Sequence, residues 1–328
     1  MRLLITGYPG WLTQRFLETR QRYPTSFSLI RCLVHPSAQL PKLDPQIEII
    51  RGDLNDSDSL VQSCKGMDVI LHAAGVLHVK KITDFYRINR DGTEALLKQA
   101  VKENVPHFIF ISSNAAQGFC RGRGYELSEA DVCLPASHYG LSKFQAENIV
   151  QKYFDSGQIN TTTIRPAMFY GPPVPPRHQE IFKRIQGGTF PVFGDGNFMR
   201  SVTHVDNLVD SIHLVLGKPE IRGQTYSIAD AYIPSLLEII DSMGRALGTT
   251  VKIQRFPRFL ADIADYLDRF LSKLGIYWML PHLVGESHRH IACKIDKAKK
   301  ELGYEARYRL DEGYHDAVKW CRDQGVLK

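Results

Sequence analysis

Cysteine is sparse and unpatterned in this chain. The six thiols, Cys32, Cys64, Cys120, Cys133, Cys293 and Cys321, are scattered over 328 residues with no CxxC pair and no regular spacing. A disulfide scaffold or a zinc site needs paired or clustered cysteines, so neither is expected and no metal is assigned. No uninterrupted apolar run reaches the ~18–20 residues of a membrane-spanning helix. The opening "MRLLIT" turns into a strand-like run at residue 2, leaving no room for a signal peptide. A reducing, cytoplasmic location is therefore expected. Charge of one sign is not concentrated either. The net charge of +6 is spread along the chain, which suits an anionic small molecule and leaves no footprint for nucleic acid.

What is present is alternation. Short apolar runs at Leu3–Thr6, Leu29–Val34, Ile47–Ile50, Val69–His72, Phe108–Ser112 and Thr162–Arg165 are separated by helical patterns at Trp11–Arg20, Gly92–Lys102 and Tyr139–Tyr153. Strands alternating with helices predict an α/β fold, a doubly wound parallel sheet covered on both faces. The texture changes after Arg165. "YGPPVPPRHQ" carries four prolines between residues 172 and 176, which disfavours a helix or central strand there. A helical stretch at Glu180–Gln186 follows, and helical patterns dominate from Ser235 onward. Residues 1–166 and 201–230 are expected to form a dinucleotide-binding Rossmann domain. Residues 167–200 and 231–328 are expected to form a smaller, mostly helical substrate lobe interleaved with it, "SVTHVDNLVDSIHLVL" returning a strand and helix to the first domain.

The segment "TGYPGWLT" places Gly7 and Gly10 between the first strand and the first helix. Glycines there let the backbone turn tightly and approach a pyrophosphate at a helix N-terminus. Trp11 and Leu12 open that helix, and Thr13 stands where the full fingerprint has its third glycine. The second strand ends without an acid: His35 occupies its end and Arg31 its interior. An NAD site usually carries an Asp or Glu there for the ribose 2′-hydroxyl. Its absence leans the expectation for the NAD(P)(H) cofactor towards NADP(H), although His35 reads equally as the start of the turn at Pro36.

Ser112–Ser113 end a predicted strand, and Ser113 lies 26 residues before Tyr139. Tyr139 and Lys143, spaced i, i+4, share one helix face. A phenol of pKa ~10 is a sluggish acid–base group near neutrality, and a neighbouring ammonium favours its ionised form. With "GDL" (52–54), "HAAG" (72–75), "NRDGT" (89–93), "SSNAAQG" (112–118), "YGLSK" (139–143), "RPAMFYGP" (165–172) and "HVDN" (204–207) in this order, the chain resembles the extended short-chain dehydrogenase/reductase superfamily. The likeness spans residues 1 to about 210.

The resemblance implies roles. Tyr139 exchanges a proton with the substrate oxygen, Lys143 tunes Tyr139 and holds the nicotinamide ribose, and Ser113 bonds the reacting oxygen. Asp53 matches an adenine contact beside Leu54, and "GDLND" reads equally as a turn with capping carboxylates. Ala73, Ala74 and Gly75 suit close approach to a flat cofactor or simple packing. Pro166 and Tyr170 flank the nicotinamide end. Asn89 is either a support residue or a helix N-cap, the latter preferred. A homodimer through the Tyr139 helix is a further implication.

Substrate class is read from departures. Sugar 4,6-dehydratases of the superfamily follow the active-site hydroxyl with Asp-Glu, whereas Ser113 is followed by Asn114 and Ala115. Met168 replaces an asparagine common in nucleotide-sugar enzymes and suits an apolar substrate. Arg200 pulls the other way, standing where such enzymes hold a diphosphate, or serving as a structural arginine. The tail "RFPRFLADIADYLDRFLSKLGIYWML" mixes Phe259, Ile263, Leu267, Phe270, Leu271 and Leu274 with Arg255, Arg258, Arg269 and Lys273. It reads as a helix closing the lobe, or as a peripheral membrane contact through 255–280. Together with the C-terminal stretch it most resembles the 3β-hydroxysteroid dehydrogenase-like branch.

The expectation is thus an oxidoreductase interconverting a secondary alcohol and a ketone, on a sterol-like or polyketide-like small molecule. A nucleotide-sugar 4-epimerase with retained NAD is the alternative. A non-catalytic dinucleotide sensor is a third reading, opposed by the joint presence of Ser113, Tyr139 and Lys143.

Overall fold

Successive side chains of a strand face opposite ways, and the apolar residues of this chain fill both faces. In the computed structural model, which describes residues 1–41, 44–218 and 220–327, Leu3 and Ile5 of β1 (Arg2–Thr6) join one core and Leu4 the other. The domain ranges above include Lys42, Leu43, Pro219 and Lys328, which lie outside the described residues. Strands β2 (Leu29–Val34), β3 (Ile47–Arg51), β4 (Val69–His72), β5 (His107–Ile111), β6 (Asn160–Pro166) and β10 (Gln224–Ile228) complete a seven-stranded sheet in the order β3-β2-β1-β4-β5-β6-β10. Every neighbour pair is parallel.

On one face pack α1 (Trp11–Thr19) and α7 (Val205–Leu216), around Phe16, Leu208 and Ile212. On the other lie α2 (Ser57–Cys64), α4 (Gly92–Lys102) and α5 (His138–Asp155), around Leu60, Leu96, Leu97 and Val150. Arg15 on α1 ties the first face together by donating to both oxygens of buried Asp206 on α7, at 2.5 and 2.7 Å. The chain order reverses between β1 and β4, and ligands of such sheets bind outside the carboxyl ends of the strands at that point.

The lobe is built from α6 (Pro176–Gln186), α8 (Leu236–Leu247), α9 (Arg258–Lys273), α10 (Met279–Glu286) and α11 (Leu310–Asp323), with a third core around Tyr170, Phe182, Ile239 and Tyr314. Two small parallel pairs accompany them: β7 (Met168–Tyr170) with β9 (Val202–His204), and β8 (Thr189–Phe193) with β11 (Lys252–Phe256). Two expectations change. The strand at 202–204 pairs with β7 and does not join the main sheet, whereas α7 and β10 do pack with it. The helix expected from Glu180 begins at Pro176, because a proline at the first helical position gives up an amide that would have no partner anyway. Among the described residues no helix is long and apolar enough to cross a membrane, no group of residues could hold a metal, and all six cysteines are free.

Candidate active site

The loop after β1 has to be glycine. Gly7 has φ +90°, and a Cβ there would stand 2.6 Å from the backbone of Ala73 and Ala74. A Cβ on Gly10 would meet the Gly7 carbonyl oxygen at 2.5 Å. Thr13 turns out to be part of this loop's construction: its buried hydroxyl lies 3.0 Å from both the Gly7 and Gly10 carbonyls. The missing third glycine is thus replaced by a side chain that pins the turn. Trp11 packs against Phe169 and His178, and its indole nitrogen is buried without a partner.

Behind the loop runs a chain of hydrogen bonds whose donors leave one consistent arrangement. Thr93 donates to the Asn89 carbonyl (2.6 Å), so it accepts from His72 Nε2 (2.9 Å). His72 Nδ1 then accepts from Thr6 (2.7 Å), whose oxygen accepts from the Ala74 amide (3.2 Å). Burial pushes His72 down to about 3, and the Lys143 charge adds to this, so the imidazole is neutral as the chain requires. Asn89 corrects the N-cap reading. It is fully buried in a π-helical stretch, Tyr86–Asp91, that joins α3 (Thr83–Phe85) to α4. Its amide group accepts from the Val76 N–H (2.8 Å) and donates to the Val76 carbonyl (3.1 Å) and Ser142 (3.0 Å). Asn89 therefore braces the β4 loop against α5.

Helix α5 starts at an N-cap, Ser137, whose oxygen accepts from the Gly140 amide. Gly140 lets the helix press onto the turn after β5: a Cβ there would lie 2.3 Å from the Ala115 carbonyl oxygen. Tyr139 consequently meets Ser113, whose hydroxyl also accepts from the Ala115 amide (3.2 Å), with Asn114 beside it. Lys143, one turn on, is buried, donates to the Ile111 carbonyl (2.7 Å) and sits 4.2 Å from the centre of the Phe110 ring. The electrostatics differ from the simple expectation. Burial pushes the Tyr139 phenol up, and it is the Ser113 hydrogen bond that counters this. Burial also lowers Lys143 to about 7, with Glu147 opposing.

These residues surround one cavity of about 550 Å³. Gly7, Gly10, Trp11, Leu12 and Ala73 line it, together with Ser113, Asn114, Tyr139, Lys143 and Pro166. Met168 and Arg200 line it as well. The orphaned Trp11 nitrogen, the Gly7–Gly10 cradle and the side-chain-free N-cap of α1 fit a dinucleotide pyrophosphate. Not every candidate converges. Ala74 packs behind the wall, and Leu54 is buried against Gly92. Asp53 accepts from Asn55 and stands 3.2 Å from His35 Nε2, outside the lining of this cavity. Arg31 is occupied by Glu48 and by the carbonyls of Gln62, Ser63 and Lys65. Tyr170 is buried in the lobe core, donating to Asp230 (2.7 Å), and does not reach the cavity.

Around Arg200 the lining also holds groups that the sequence did not single out. Arg177 bonds His78 Nε2, and His78 is lowered to about 4 by burial first and by Arg177 second. Arg200 donates to the Glu286 carbonyl (2.7 Å), while its Nε is buried without a partner. Burial lowers both arginines and raises the Glu286 carboxyl. His282 bonds Asp268 at 3.0 Å; burial works against its imidazolium, but Asp268 and Glu286 outweigh this and raise it. Only tertiary folding brings residues 78, 177, 282 and 286 to Arg200, so no local motif announces those four.

A glycine loop at the switch point, a Ser–Tyr–Lys set and one cavity joining them define a dinucleotide-dependent enzyme of the extended short-chain dehydrogenase/reductase type. The chain belongs to the NAD dependent epimerase/dehydratase family, whose model matches residues 3–229. It is 32% identical to the uncharacterized protein y4nL of Sinorhizobium fredii, over 98% of this chain and 96% of that protein. It is 27% identical to the N-acetyl-alpha-D-glucosaminyl-diphospho-ditrans,octacis-undecaprenol 4-epimerase of Escherichia coli O157:H7, over 97% and 94% of the two chains. The fold matches the dTDP-glucose 4,6-dehydratase DesIV from Streptomyces venezuelae, solved with NAD bound, at a TM-score of 0.82 and 23% identity, over 100% and 99% of the two chains. Further relatives are described as UDP-glucose 4-epimerase, dTDP-glucose 4,6-dehydratase and short-chain dehydrogenase/reductase family 42E, so the likeness does not single out the 3β-hydroxysteroid branch.

Proposed function

We propose that this enzyme oxidises and re-reduces a secondary hydroxyl on a sugar carried by a diphosphate, acting as a 4-epimerase that retains its NAD. This reverses the order of the two enzyme readings taken from the sequence. The observation that supports it is the pair of guanidinium groups, Arg177 and Arg200, in the lining of the cavity that also holds Tyr139. Glu286 is the carboxylate whose charge reaches both, and burial disfavours its ionised form. A cavity wall with this excess of cation calls for an anion, and planar guanidinium groups match phosphate oxygens well.

A nicotinamide held there would supply reversible hydride acceptance at the substrate carbon. Tyr139, as phenolate, takes the hydroxyl proton while that carbon becomes a ketone, and returns it on re-reduction. Ser113 donates to the reacting oxygen, and the Lys143 ammonium supports the phenolate and holds the nicotinamide ribose. Gly7, Gly10 and Trp11 hold the pyrophosphate, with Leu12, Ala73 and Pro166 against the cofactor. Asn114 and Met168 touch the substrate.

For the adenosine end we propose NAD over NADP. The Asp53 carboxylate beside His35, held below its ordinary range by the Asn55 hydrogen bonds despite burial, opposes a 2′-phosphate. Arg51, which donates to the His35 and Ala38 carbonyls, is the residue through which NADP would be accepted. The dehydrogenase reading keeps one supporting observation, the apolar Leu77 and Met168 in the lining. The two-lobed division at the stated boundaries, a cytoplasmic site of action and a homodimer through α5 belong to the same proposal.

Arg200→Met tests the substrate class. It is expected to raise KM for a diphospho-sugar about 10- to 100-fold, the scale of one lost charge-assisted hydrogen bond, with kcat little changed. An unchanged KM would remove the diphosphate from Arg200.

A further inference from the structure

Helix α9 is inside out. Two of its acidic residues, three apart, turn into the protein, Asp265 to Arg289 (2.7 Å) and Asp268 to His282 (3.0 Å), while Asp262 is half exposed at 3.1 Å from His288. Its apolar side chains point the other way. Phe259 is 58% exposed, Ile263 57%, Tyr266 74% and Phe270 51%, and Ala261 is the one buried residue of the helix. The exposed surface continues through Leu274 and Trp278 into α10, where Met279 and Leu280 are also exposed. A helix on a water-soluble surface normally buries this stripe, and a patch of this extent marks an interaction site.

The occupant is indicated by charge and by position. Arg255, Arg258, Arg269 and Lys273 are exposed on or beside the helix; Arg269 pairs with Asp265 (3.0 Å) and Arg258 lies 4.0 Å from Asp262, while Arg255 stands just before the helix and Lys273 at its last position. Arg255 bonds a carbonyl oxygen, leaving its charge without a carboxylate partner in that bond. Apolar side chains ringed by basic ones suit the headgroup boundary of an anionic bilayer. The patch also adjoins the active site. The short helix α10 carries exposed Met279 and Leu280 in its first turn, and His282, Leu283 and Glu286 further along it line the cavity. Tyr277, just before it, bonds His78 in the cavity wall (2.9 Å).

We propose that α9 and the start of α10 rest on an anionic membrane surface, and that the diphospho-sugar reaches the cavity still attached to a membrane lipid chain. This rests on the diphosphate reading above and extends it by naming what the diphosphate is attached to. The arginines hold the charged link, Tyr139 meets the sugar, and the hydrocarbon stays with the bilayer against Leu77, Met279 and Leu280. An apolar cavity rim and a cationic interior, which oppose each other when a single soluble substrate is considered, are both used by such a molecule.

The test is flotation with vesicles of phosphatidylcholine, with and without phosphatidylglycerol, comparing the wild type with an Ile263→Glu/Phe270→Glu variant whose changes lie on the exposed face. The wild type is expected to float with the anionic vesicles, the variant at least tenfold less, with unaltered circular dichroism. In the same vesicles, kcat/KM for a polyprenyl diphospho-sugar is expected to fall at least tenfold in the variant. Its kcat/KM for a water-soluble nucleotide diphospho-sugar is expected to stay within twofold. Turnover of diphospho-sugars without vesicle binding would overturn the membrane proposal alone. Vesicle binding without turnover of any diphospho-sugar would overturn the substrate reading, and with it the lipid-linked substrate. A wild-type dimer that the variant dissociates, with no vesicle binding, would assign the face to a second copy and also overturn the proposal.

Discussion

Tyr139 and Lys143 carry the chemistry, and each makes a separate prediction. Tyr139→Phe removes one oxygen atom and leaves the cavity shape intact, so turnover is expected to fall about 10²–10⁴-fold. Cofactor affinity, read by fluorescence titration, is expected to change little. Lys143 predicts a trade of stability for function. Its folded pKa of about 7 lies below the ~10.4 of an unfolded lysine. Below pH 7 both states hold the proton, and the folded protein bears the whole cost of a buried ammonium. Between pH 7 and 10 the folded state releases the proton first, so stability rises with pH. Lys143→Met is therefore expected to be inactive yet more stable than the wild type at pH 6. The gap should narrow by up to ~1.4 kcal/mol per pH unit above 7, read by urea denaturation across pH. A gap independent of pH would contradict a depressed lysine. At this scale the sequence shows which residues react, because their spacing is local. It leaves Asn89 between a support role and an N-cap and does not show Thr13 as a loop pin, because those roles depend on partners brought up by other strands. Arg177, His282 and Glu286 are hidden for the same reason.

The element that sets the geometry is α5. Gly140 allows it to lie against the turn that carries Ser113, and a methyl group there would collide with the Ala115 carbonyl. Gly140→Ala is expected to cost ~1–3 kcal/mol of stability through overpacking and to reduce kcat about tenfold or more by moving Tyr139 from Ser113. Denaturation and steady-state kinetics check both, and an unperturbed variant would mean that the helix can shift without consequence. Strand positions in the first half are legible to within two residues at either end, since buried parallel strands are continuous apolar runs between helical patterns. Partner choice is less legible. The run at 202–204 looks like any other strand, and its pairing with β7 is decided by the loop that brings Met168–Tyr170 alongside. Helix α9 shows its amphipathic period in sequence, but a period does not say which face meets water.

For the whole molecule, a parallel sheet with one order reversal creates one crevice, and the cofactor loop, the Ser–Tyr–Lys set and the two arginines all open into it. The fold class was readable from alternation alone. The substrate was not, because Met168 and Arg200 point to different chemistries and only their placement in one cavity lets both count. The central claim is catalysis by a retained cofactor on a diphosphate-linked sugar. It is tested most directly by proton NMR of the purified protein with UDP-linked and short-chain prenyl-diphospho-linked sugars, with no nucleotide cofactor added. The account predicts that the 4-epimer of at least one of them accumulates to equilibrium with the wild type and not with Tyr139→Phe. Unchanged sugars, together with stoichiometric consumption of added NADPH by an apolar ketone, would contradict it.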